Sequence, residues 1–271
     1  MSDDRRTAEA FASSWTHLPP GSIYTGEQFE EWLAPITRNE VEGRSVLELG
    51  CGNGSLLVHL IQWAPSQVTG VDLGTSAETA SRNMRETGFR NYSIVQADLT
   101  TFRDEGFDVV YCIGVLHHLK DPAKGFESAL ANTKSGGRFH CWVYAREGNA
   151  IIIRLIDPIR RITSRLPWWM TKYLIASPLV IPYFIYAKVL RRFRNVAWVR
   201  KAPLFLYSLW IAERPYAFFR HVAFDQLVAP RTRYIERETI ESWLSDARLV
   251  SGSDYIIFRN GNSWKFGGIV R

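Results

Sequence analysis

Residues 46–57 read Val46-Leu47-Glu48-Leu49-Gly50-Cys51-Gly52-Asn53-Gly54-Ser55-Leu56-Leu57. The apolar residues at the start predict a short strand of the kind that is buried on both faces in a parallel sheet. Three glycines follow at every second position, and the apolar run after them predicts the start of a helix. Because glycine has no Cβ and tolerates positive φ, a ligand can lie directly on the backbone of this turn.

A second strand is predicted at Val68-Thr69-Gly70-Val71-Asp72-Leu73, and it ends in a carboxylate. Asp72 stands eighteen residues beyond Gly54. A carboxylate in this place can accept both hydroxyls of a ribose that is held over the glycine turn. The strand, the turn, the helix, the second strand and the acid together indicate a nucleoside-binding βαβ unit.

The spacing of the glycines distinguishes between nucleosides. A dinucleotide site has the pattern G-x-G-x-x-G and places a helix N-terminus at the pyrophosphate. Here the third glycine comes one residue earlier, and Glu48 precedes the first. This turn, followed by Val71-Asp72-Leu73, resembles the cofactor loop of class I S-adenosylmethionine-dependent methyltransferases. The resemblance implies that S-adenosyl-L-methionine is the cofactor and is bound by Glu48, Gly50, Gly52, Gly54, Asp72 and Leu73. A tight strand–helix turn without a ligand is the alternative.

Two further stretches carry the same resemblance. Gln96-Ala97-Asp98-Leu99 follows a predicted third strand, and the family places an acid here at the adenine amino group. The resemblance therefore assigns Asp98, with Leu99, to cofactor binding, whereas a solvated loop aspartate is the alternative. Phe107–Ile113 and the following Gly114-Val115-Leu116-His117-His118-Leu119 resemble the fourth strand and loop of small-molecule methyltransferases, and Ile113 joins the cofactor residues.

The pattern of elements predicts an α/β fold, a Rossmann-like seven-stranded, mostly parallel sheet with helices on both faces and a helical insertion after the fifth strand. Residues 1–40 are expected to form an N-terminal helical cap. Residues 41–147 and 222–271 are expected to form the methyltransferase domain, and residues 148–221 a helical insertion that serves as a lid over the substrate, as a dock on a membrane surface, or as both. The resemblance covers about residues 11–147 and 222–260.

Charge is divided unevenly along the chain. Residues 151–235 hold 15 Lys or Arg and 3 Asp or Glu, although the net charge of the whole chain is only +6. A basic segment of this kind suggests contact with an anionic surface. Its predicted helices are 150–166, 167–177, 179–194 and 202–220, with breaks at Pro167, Pro178 and Pro203. Tyr173–Leu190 is mostly apolar, but two prolines and Lys188 interrupt it, so helices at a membrane surface are favoured over a spanning helix.

The three cysteines have no metal-ligand spacing and no even pairing, which predicts a reducing compartment and no metal site. The first six residues lack the apolar core of a signal peptide. We therefore expect a cytoplasmic protein that is peripheral on the inner face of the membrane.

Methyl transfer from a sulfonium requires alignment of donor and acceptor, and a general base only where the acceptor arrives protonated. The candidates for this base are His117 and His118, because they follow the fourth strand at the carboxyl edge of the sheet. Packing and helix capping are the alternative roles for this pair. Trp15, His17, Tyr24 and Tyr144 are candidates for the acceptor site or its cap.

Three functions are compatible with these patterns. The first is a methyltransferase that acts on a small, lipophilic acceptor, with an anionic membrane as partner of residues 151–220. The second is a nucleic-acid methyltransferase that holds RNA with the basic insertion. It is not favoured, because Ile113-Gly114-Val115-Leu116 stands where base-methylating enzymes usually carry an Asp/Asn-Pro-Pro-aromatic motif. The third is a cofactor-binding protein without activity. The identity of the acceptor and the choice among O-, N- and C-methylation stay open.

Overall fold

The structure is a computed structural model that describes residues 3–15, 24–104 and 106–271, with the side chains of residues 5 and 7–12 in the first range. The strands are β1 (Ser45–Leu49), β2 (Gln67–Asp72), β3 (Tyr92–Gln96), β4 (Phe107–Ile113), β5 (Thr133–Tyr144), β6 (Tyr255–Arg259) and β7 (Ser263–Ile269). The α-helices are α1 (Asp3–Trp15), α2 (Gly26–Leu33), α3 (Arg38–Val41), α4 (Ser55–Leu60), α5 (Ser76–Glu86), α6 (Pro122–Ala131), α7 (Ala150–Thr163), α8 (Ser177–Arg192), α9 (Phe205–Ile211), α10 (Tyr216–Val228) and α11 (Arg237–Asp246).

The seven strands form one mixed sheet in the order β3-β2-β1-β4-β5-β7-β6. Strands β1 to β5 pair in parallel, so their carboxyl ends lie along the same edge. The chain order reverses between β1 and β4, and such a switch point opens a crevice that binds ligands in α/β sheets. The predicted Rossmann-like fold is confirmed.

The central strands are buried because their side chains are apolar on both faces. Val46, Leu47 and Leu49 of β1 have no exposed surface, and neither has Tyr111 of β4. On one face these strands contact Phe29 and Leu33 of α2 and Leu57 and Leu60 of α4. This core fixes the positions of the loops that follow each strand.

The chain divides into two compact units. The sheet unit comprises Met1–Tyr144, Arg231–Ile257 and Trp264–Arg271, and the helical unit comprises Ala145–Pro230 with Phe258–Ser263. The helical unit extends past residue 221, where the predicted insertion ends, because α10 continues as one helix to Val228.

The core of the helical unit is built around α10. Phe219 and Phe224 of this helix are buried, and the ring of Phe219 meets that of Phe184 in α8 edge-on at 4.9 Å. On its other side, α10 is tied to α7, where Arg160 Nε donates to the Gln226 carbonyl at 2.6 Å. Arg160 is itself buried and pairs with Asp157 at 2.6 Å, so its charge is compensated.

Two predicted features of the insertion helices are wrong. The break at Pro178 does not occur, because this proline lies in the first turn of α8, where no backbone donor is needed. The predicted helix 202–220 is instead split into α9 and α10 around Pro215, which cannot continue a helix from the preceding turn.

A π-helical segment, Met170–Ala176, runs directly into α8. Together they give a continuous helix, Met170–Arg192, that is long and apolar enough to cross a membrane by length and composition alone. Only 22% of its most apolar window is buried.

Candidate functional site

The glycine turn after β1 has the geometry that its sequence requires. Gly50, Gly52 and Gly54 all have positive φ, at 81°, 53° and 76°. A Cβ on Gly50 would overlap the Val115 side chain, and one on Gly54 would lie 3.2 Å from Ala80 Cβ in α5. Side chains are therefore disfavoured at both positions by conformation, and the space that a Cβ would take is filled by Val115 at Gly50 and bordered by Ala80 at Gly54.

Asp72 at the end of β2 is tied to this turn. Its Oδ2 accepts a hydrogen bond from the Gly52 amide at 2.9 Å, while Oδ1 accepts from the Gly74 amide and the Ser76 hydroxyl, both at 2.9 Å. Burial raises the pKa of Asp72, and these three hydrogen bonds oppose the increase. Since each carboxylate oxygen has two lone pairs, Oδ2 can accept one ribose hydroxyl as it stands. A second hydroxyl would have to displace Gly74 or Ser76 from Oδ1.

Glu48 lies beneath the turn rather than at its surface. Only 2% of it is exposed, and its Oε2 accepts a hydrogen bond from the Tyr111 hydroxyl at 3.0 Å. The pKa of Glu48 is raised to about 8. Burial is the main cause, the charge of Asp72 adds to the increase, and the hydrogen bond from Tyr111 opposes it. At neutral pH this carboxyl is therefore mainly protonated, so its position suits support of the turn more than direct contact with a cofactor.

The remaining predicted cofactor residues lie on loops at the same edge. Asp98 follows β3, and its Oδ1 accepts from the amide and hydroxyl of Thr100 at 2.9 and 2.7 Å. Leu99 and Ile113 are buried, and Leu73 is half-buried directly after Asp72. The glycine turn, Asp72, Asp98 and Ile113 all belong to carboxyl ends of neighbouring parallel strands, which is the arrangement a nucleoside cofactor requires.

His117 and His118 differ in their surroundings. His117 is fully buried, and its Nδ1 accepts from the Tyr144 amide at 3.4 Å. His118 is half-buried, and its Nδ1 lies 2.9 Å from the Arg231 carbonyl. Because a carbonyl can only accept, Nδ1 carries the proton, and in the neutral ring Nε2 carries the lone pair. His117 therefore uses its lone pair at Nδ1 for the Tyr144 amide, whereas His118 carries its lone pair at Nε2 and is the better candidate for a base.

Aromatic rings extend from the histidines across the carboxyl end of β5. The His117 and Tyr144 ring centroids are 4.2 Å apart, Trp142 and Tyr144 are 5.3 Å apart, and Tyr144 stacks on Tyr234 at 6.2 Å. We call His117, His118, Trp142, Tyr144 and Tyr234 the aromatic wall. Among the described residues, no hydrogen-bond partner is found for the buried Trp142 Nε1.

Helix α1 spans the cofactor side and the aromatic wall of the sheet unit. The Thr75 hydroxyl donates to Glu9 at 2.9 Å, and the ring of Phe11 lies 5.1 Å from that of His118. Tyr24 packs edge-on against Trp32, which in turn stacks on Trp142 at 6.2 Å. The side chain of Trp15 and all of His17 lie outside the described residues, so the sequence-based assignment of these two stays a prediction.

Several residues of the aromatic wall, or in contact with it, could not be predicted from the sequence. Phe11, Trp142, Tyr234 and Arg231 belong to no motif, and Tyr234 and Arg231 are more than a hundred residues from His118. Of these residues, only Trp142 carried a signal in the sequence. It lies near the carboxyl end of a predicted parallel strand, which is the edge at which such sheets bind ligands.

Residues 47–141 match a family model described as a methyltransferase domain. The chain is 35% identical over 111 residues to a ubiquinone biosynthesis O-methyltransferase of Bordetella bronchiseptica, covering 40% of this chain and 44% of that protein. It is 26% identical over 115 residues to a tRNA U34 carboxymethyltransferase of Campylobacter curvus, covering 40% of this chain and 39% of that protein. The chain thus spans less than half the length of the curated relatives it matches.

Similarity in structure extends further than similarity in sequence. The crystal structure of magnesium protoporphyrin IX methyltransferase from Synechocystis PCC 6803 with bound SAH has a TM-score of 0.52 to this chain at 14% identity, over 93% of this chain and 84% of that one. At this identity the likeness establishes the fold.

Proposed function

We propose that this chain, whose residues 47–141 match a methyltransferase domain, transfers a methyl group from S-adenosylmethionine to a small, lipophilic acceptor at a membrane surface. The observation that carries the proposal is the glycine turn of positive φ whose Gly52 amide donates to Asp72 at the switch point of the sheet. Its glycine spacing differs from the G-x-G-x-x-G pattern of pyrophosphate sites, which favours a nucleoside cofactor without a pyrophosphate.

The residues at this edge fit the cofactor. Gly50, Gly52 and Gly54 would give its methionine part a surface without side chains, Asp72 Oδ2 would accept a ribose hydroxyl, and Asp98 would accept the adenine amino group. The bound cofactor supplies an electrophilic methyl group on a positively charged sulfur. The carboxyl ends of β1, β2 and β4 would position this methyl group relative to the acceptor.

The aromatic wall supports a flat, apolar acceptor. Rings that are stacked or edge-on bind a planar ligand through large apolar surfaces. Among the described residues, none accepts a hydrogen bond from Trp142 Nε1, and an oxygen atom of the methyl acceptor would satisfy this donor. Where that acceptor carries a hydroxyl, Nε2 of His118 would accept its proton, while the Arg231 carbonyl holds the imidazole by its other nitrogen.

The proposal is tested first by cofactor affinity. Calorimetry is expected to show binding of S-adenosylmethionine and S-adenosylhomocysteine, and no comparable binding of NAD. Asp72→Ala should weaken binding by about 1.5–3 kcal/mol, the range for a hydrogen bond to a charged group. Gly52→Ala should abolish it, because the new methyl group lies on the bare turn at a positive φ. Asp246→Ala, on the exposed end of α11, is the matched control.

The acceptor is sought by untargeted mass spectrometry of lipids and metabolites from cells with and without the protein. Pairs of compounds that differ by one methylene unit, and that are lost in the Gly52→Ala strain, would identify it. Undiminished cofactor affinity in both site variants, or preferred binding of NAD, would refute the proposal.

A further inference from the structure

Exposed apolar surface is concentrated in one part of the helical unit. Among the described residues, fourteen of the seventeen exposed large hydrophobic side chains lie within residues 151–206. Soluble proteins seldom leave so many large apolar side chains in contact with water within one segment unless the surface binds something.

Helix α8 carries the most regular part of this surface. Ile181, Ile185 and Val189 are spaced four residues apart and are 46%, 56% and 48% exposed. Pro178 and Pro182 are exposed on the same side by their helical spacing. The opposite side of the helix is buried within the unit through Val180, Ala187 and Leu190. The exposed side is therefore an apolar stripe about three turns long, which we call the α8 stripe.

The α8 stripe ends in a basic cleft. Lys188, Arg191, Arg192, Arg194 and Asn195 line a surface depression of about 430 Å³. Lys188 donates to the Ala212 carbonyl at 2.7 Å, and Arg191 pairs with Glu213 at 3.3 Å. Arg192 and Arg194 are exposed, and no ion pair to another described residue is recorded for either. The cleft thus holds two anchored cations and two that can turn toward a ligand.

The charge around the stripe has one sign. Between Asp157 and Glu213 the sequence contains ten Lys or Arg residues and no Asp or Glu. A symmetric dimer through this face would bring the same charges against each other and is therefore disfavoured. Free phosphate would satisfy the cleft but would leave the stripe in water. An anionic lipid bilayer covers both.

We infer that the cleft formed by Lys188, Arg191, Arg192, Arg194 and Asn195 binds the phosphate of an anionic phospholipid while the α8 stripe enters the acyl region beside it. The inference rests on the membrane part of the proposed function and names the surface that makes the contact. A basic head-group site at the end of an apolar helical face is the arrangement of helices that lie in a membrane interface.

Hydrogen bonds hold α8 along the surface of the helical unit rather than projecting from it. The hydroxyl of Tyr183 pairs with Ser208 at 3.1 Å, that of Tyr186 donates to the Pro203 carbonyl at 2.7 Å, and Tyr216 donates to the Ser177 carbonyl at 2.6 Å. Insertion of Met170–Arg192 across a bilayer would break these bonds in an apolar medium. The helix therefore lies in the interface and does not span it.

The experiment is co-flotation of the full-length protein with vesicles of phosphatidylcholine alone and with increasing phosphatidylglycerol, in the absence of cofactor. Binding is expected to rise with phosphatidylglycerol and to weaken in about 1 M salt, where the screening length is about 3 Å, but not to vanish. R192E/R194E should lower partitioning by at least about 25-fold, on the basis of about fivefold for each lost cation. I181S/I185S should remove the part that resists salt.

Matched control variants test whether binding depends on the cleft and the α8 stripe or only on the total charge and apolar surface of the protein. R82E/R90E makes the same change in charge at exposed residues of the sheet unit, and V250S/I257S removes exposed apolar groups there, so both should float like the parent protein. Circular dichroism checks folding, and calorimetry with S-adenosylmethionine should give the same affinity in all five proteins. Loss of cofactor affinity in the parent would refute the methyltransferase proposal and leave the vesicle result standing.

Three outcomes would overturn the inference. Equal partitioning of R192E/R194E and R82E/R90E would show that the cleft is not the site. Binding that vanishes in salt and is equally strong to RNA would assign the surface to nucleic acid. Protein that stays in the membrane pellet after alkaline carbonate extraction would show a spanning helix.

Discussion

His118 is held by a group from a distant part of the chain. The Arg231 carbonyl fixes its Nδ1 as a donor, and the Arg233 amide in turn binds the His117 carbonyl at 2.7 Å. The segment after α10 therefore positions the histidine loop without contributing a catalytic side chain of its own. This gives the two adjacent histidines different expected roles.

Replacement of each histidine separates those roles. His118→Ala should lower turnover by about 10²–10⁴-fold with cofactor affinity nearly unchanged, because a general base contributes on that scale. It should also remove a limb of the pH–rate profile. His117→Ala should chiefly lower the melting temperature, since the ring is fully buried among aromatic side chains. If both variants turn over within a few-fold of the parent protein, the pair packs and caps the loop, and neither is the base.

Glu48 makes stability depend on pH. Its pKa of about 8 in the folded protein is well above its ordinary value of 4.5, because burial disfavours the charged form. The folded state therefore keeps a proton that the unfolded state releases, and the contribution of Glu48 falls as the pH rises from about 5 to 8. Glu48→Gln should resemble the parent protein near pH 5 and become relatively more stable toward pH 8. Urea unfolding at both pH values measures this, with exposed Glu42→Gln as control. A difference that does not change with pH would contradict the prediction.

Residue types and spacing were enough to predict the positions of the proposed cofactor residues, because these residues follow the strands directly. Gly50, Gly52, Gly54, Asp72 and Asp98 all lie within a few residues of a strand end, so local pattern and chain order fix their positions. Arg231, Tyr234 and Phe11 could not be predicted in this way. They reach His118 and Tyr144 through tertiary packing, and their own sequence neighbourhoods carry no sign of it.

Among the helices, α2 begins with a complete capping box. The Thr25 hydroxyl accepts from the Gln28 amide at 3.2 Å, and the Gln28 side chain accepts from the Thr25 amide at 3.0 Å. This cap fixes the start of the helix that brings Phe29 and Leu33 into the core and Trp32 against Trp142. The cap therefore supports one end of the aromatic wall.

Thr25→Ala should lower the free energy of unfolding by about 1 kcal/mol, the usual effect of losing an N-cap side chain. Denaturant unfolding measures the change, and Thr25→Ser, which keeps the hydroxyl, should restore most of it. A loss of equal size in both variants would mean that the methyl group, rather than the cap, stabilises the helix.

The helices of the insertion show where proline is a poor guide. Pro178 lies in the first turn of α8 and Pro182 lies inside it, yet the helix continues through both. Pro215 does mark a boundary, between α9 and α10. The presence of proline alone therefore does not predict where a helix of the insertion ends.

At the scale of the whole molecule, the mostly parallel sheet followed from the alternation of strand and helix up to Tyr144. The extent of the helical unit did not, because the apolar residues of α10 are not confined to one face and its sequence is equally compatible with the resumption of the sheet domain. Such a helix reveals its partners only once α7 and α8 are packed around it.

Proteolysis tests the whole chain at once. The bonds after Arg192 and Arg194 are exposed, and trypsin should cut there early. Anionic vesicles should slow these cuts several-fold while the exposed bond after Arg90, in the sheet unit, is cut at an unchanged rate. Mass spectrometry of the fragments gives the rates. Equal protection at all three bonds would indicate general shielding by the vesicles instead of a defined contact.

The close packing of Val115 on Gly50 joins the loop proposed to bind the cofactor and the loop proposed to bind the acceptor. Val115 precedes the histidine loop, and no side chain separates it from the glycine turn. A cofactor that orders the glycine turn is therefore expected also to order the histidine loop beside the acceptor. We expect each ligand to raise the affinity for the other by the same factor, as thermodynamic linkage requires. In steady-state kinetics this would appear as a lower KM for each ligand when the other is saturating.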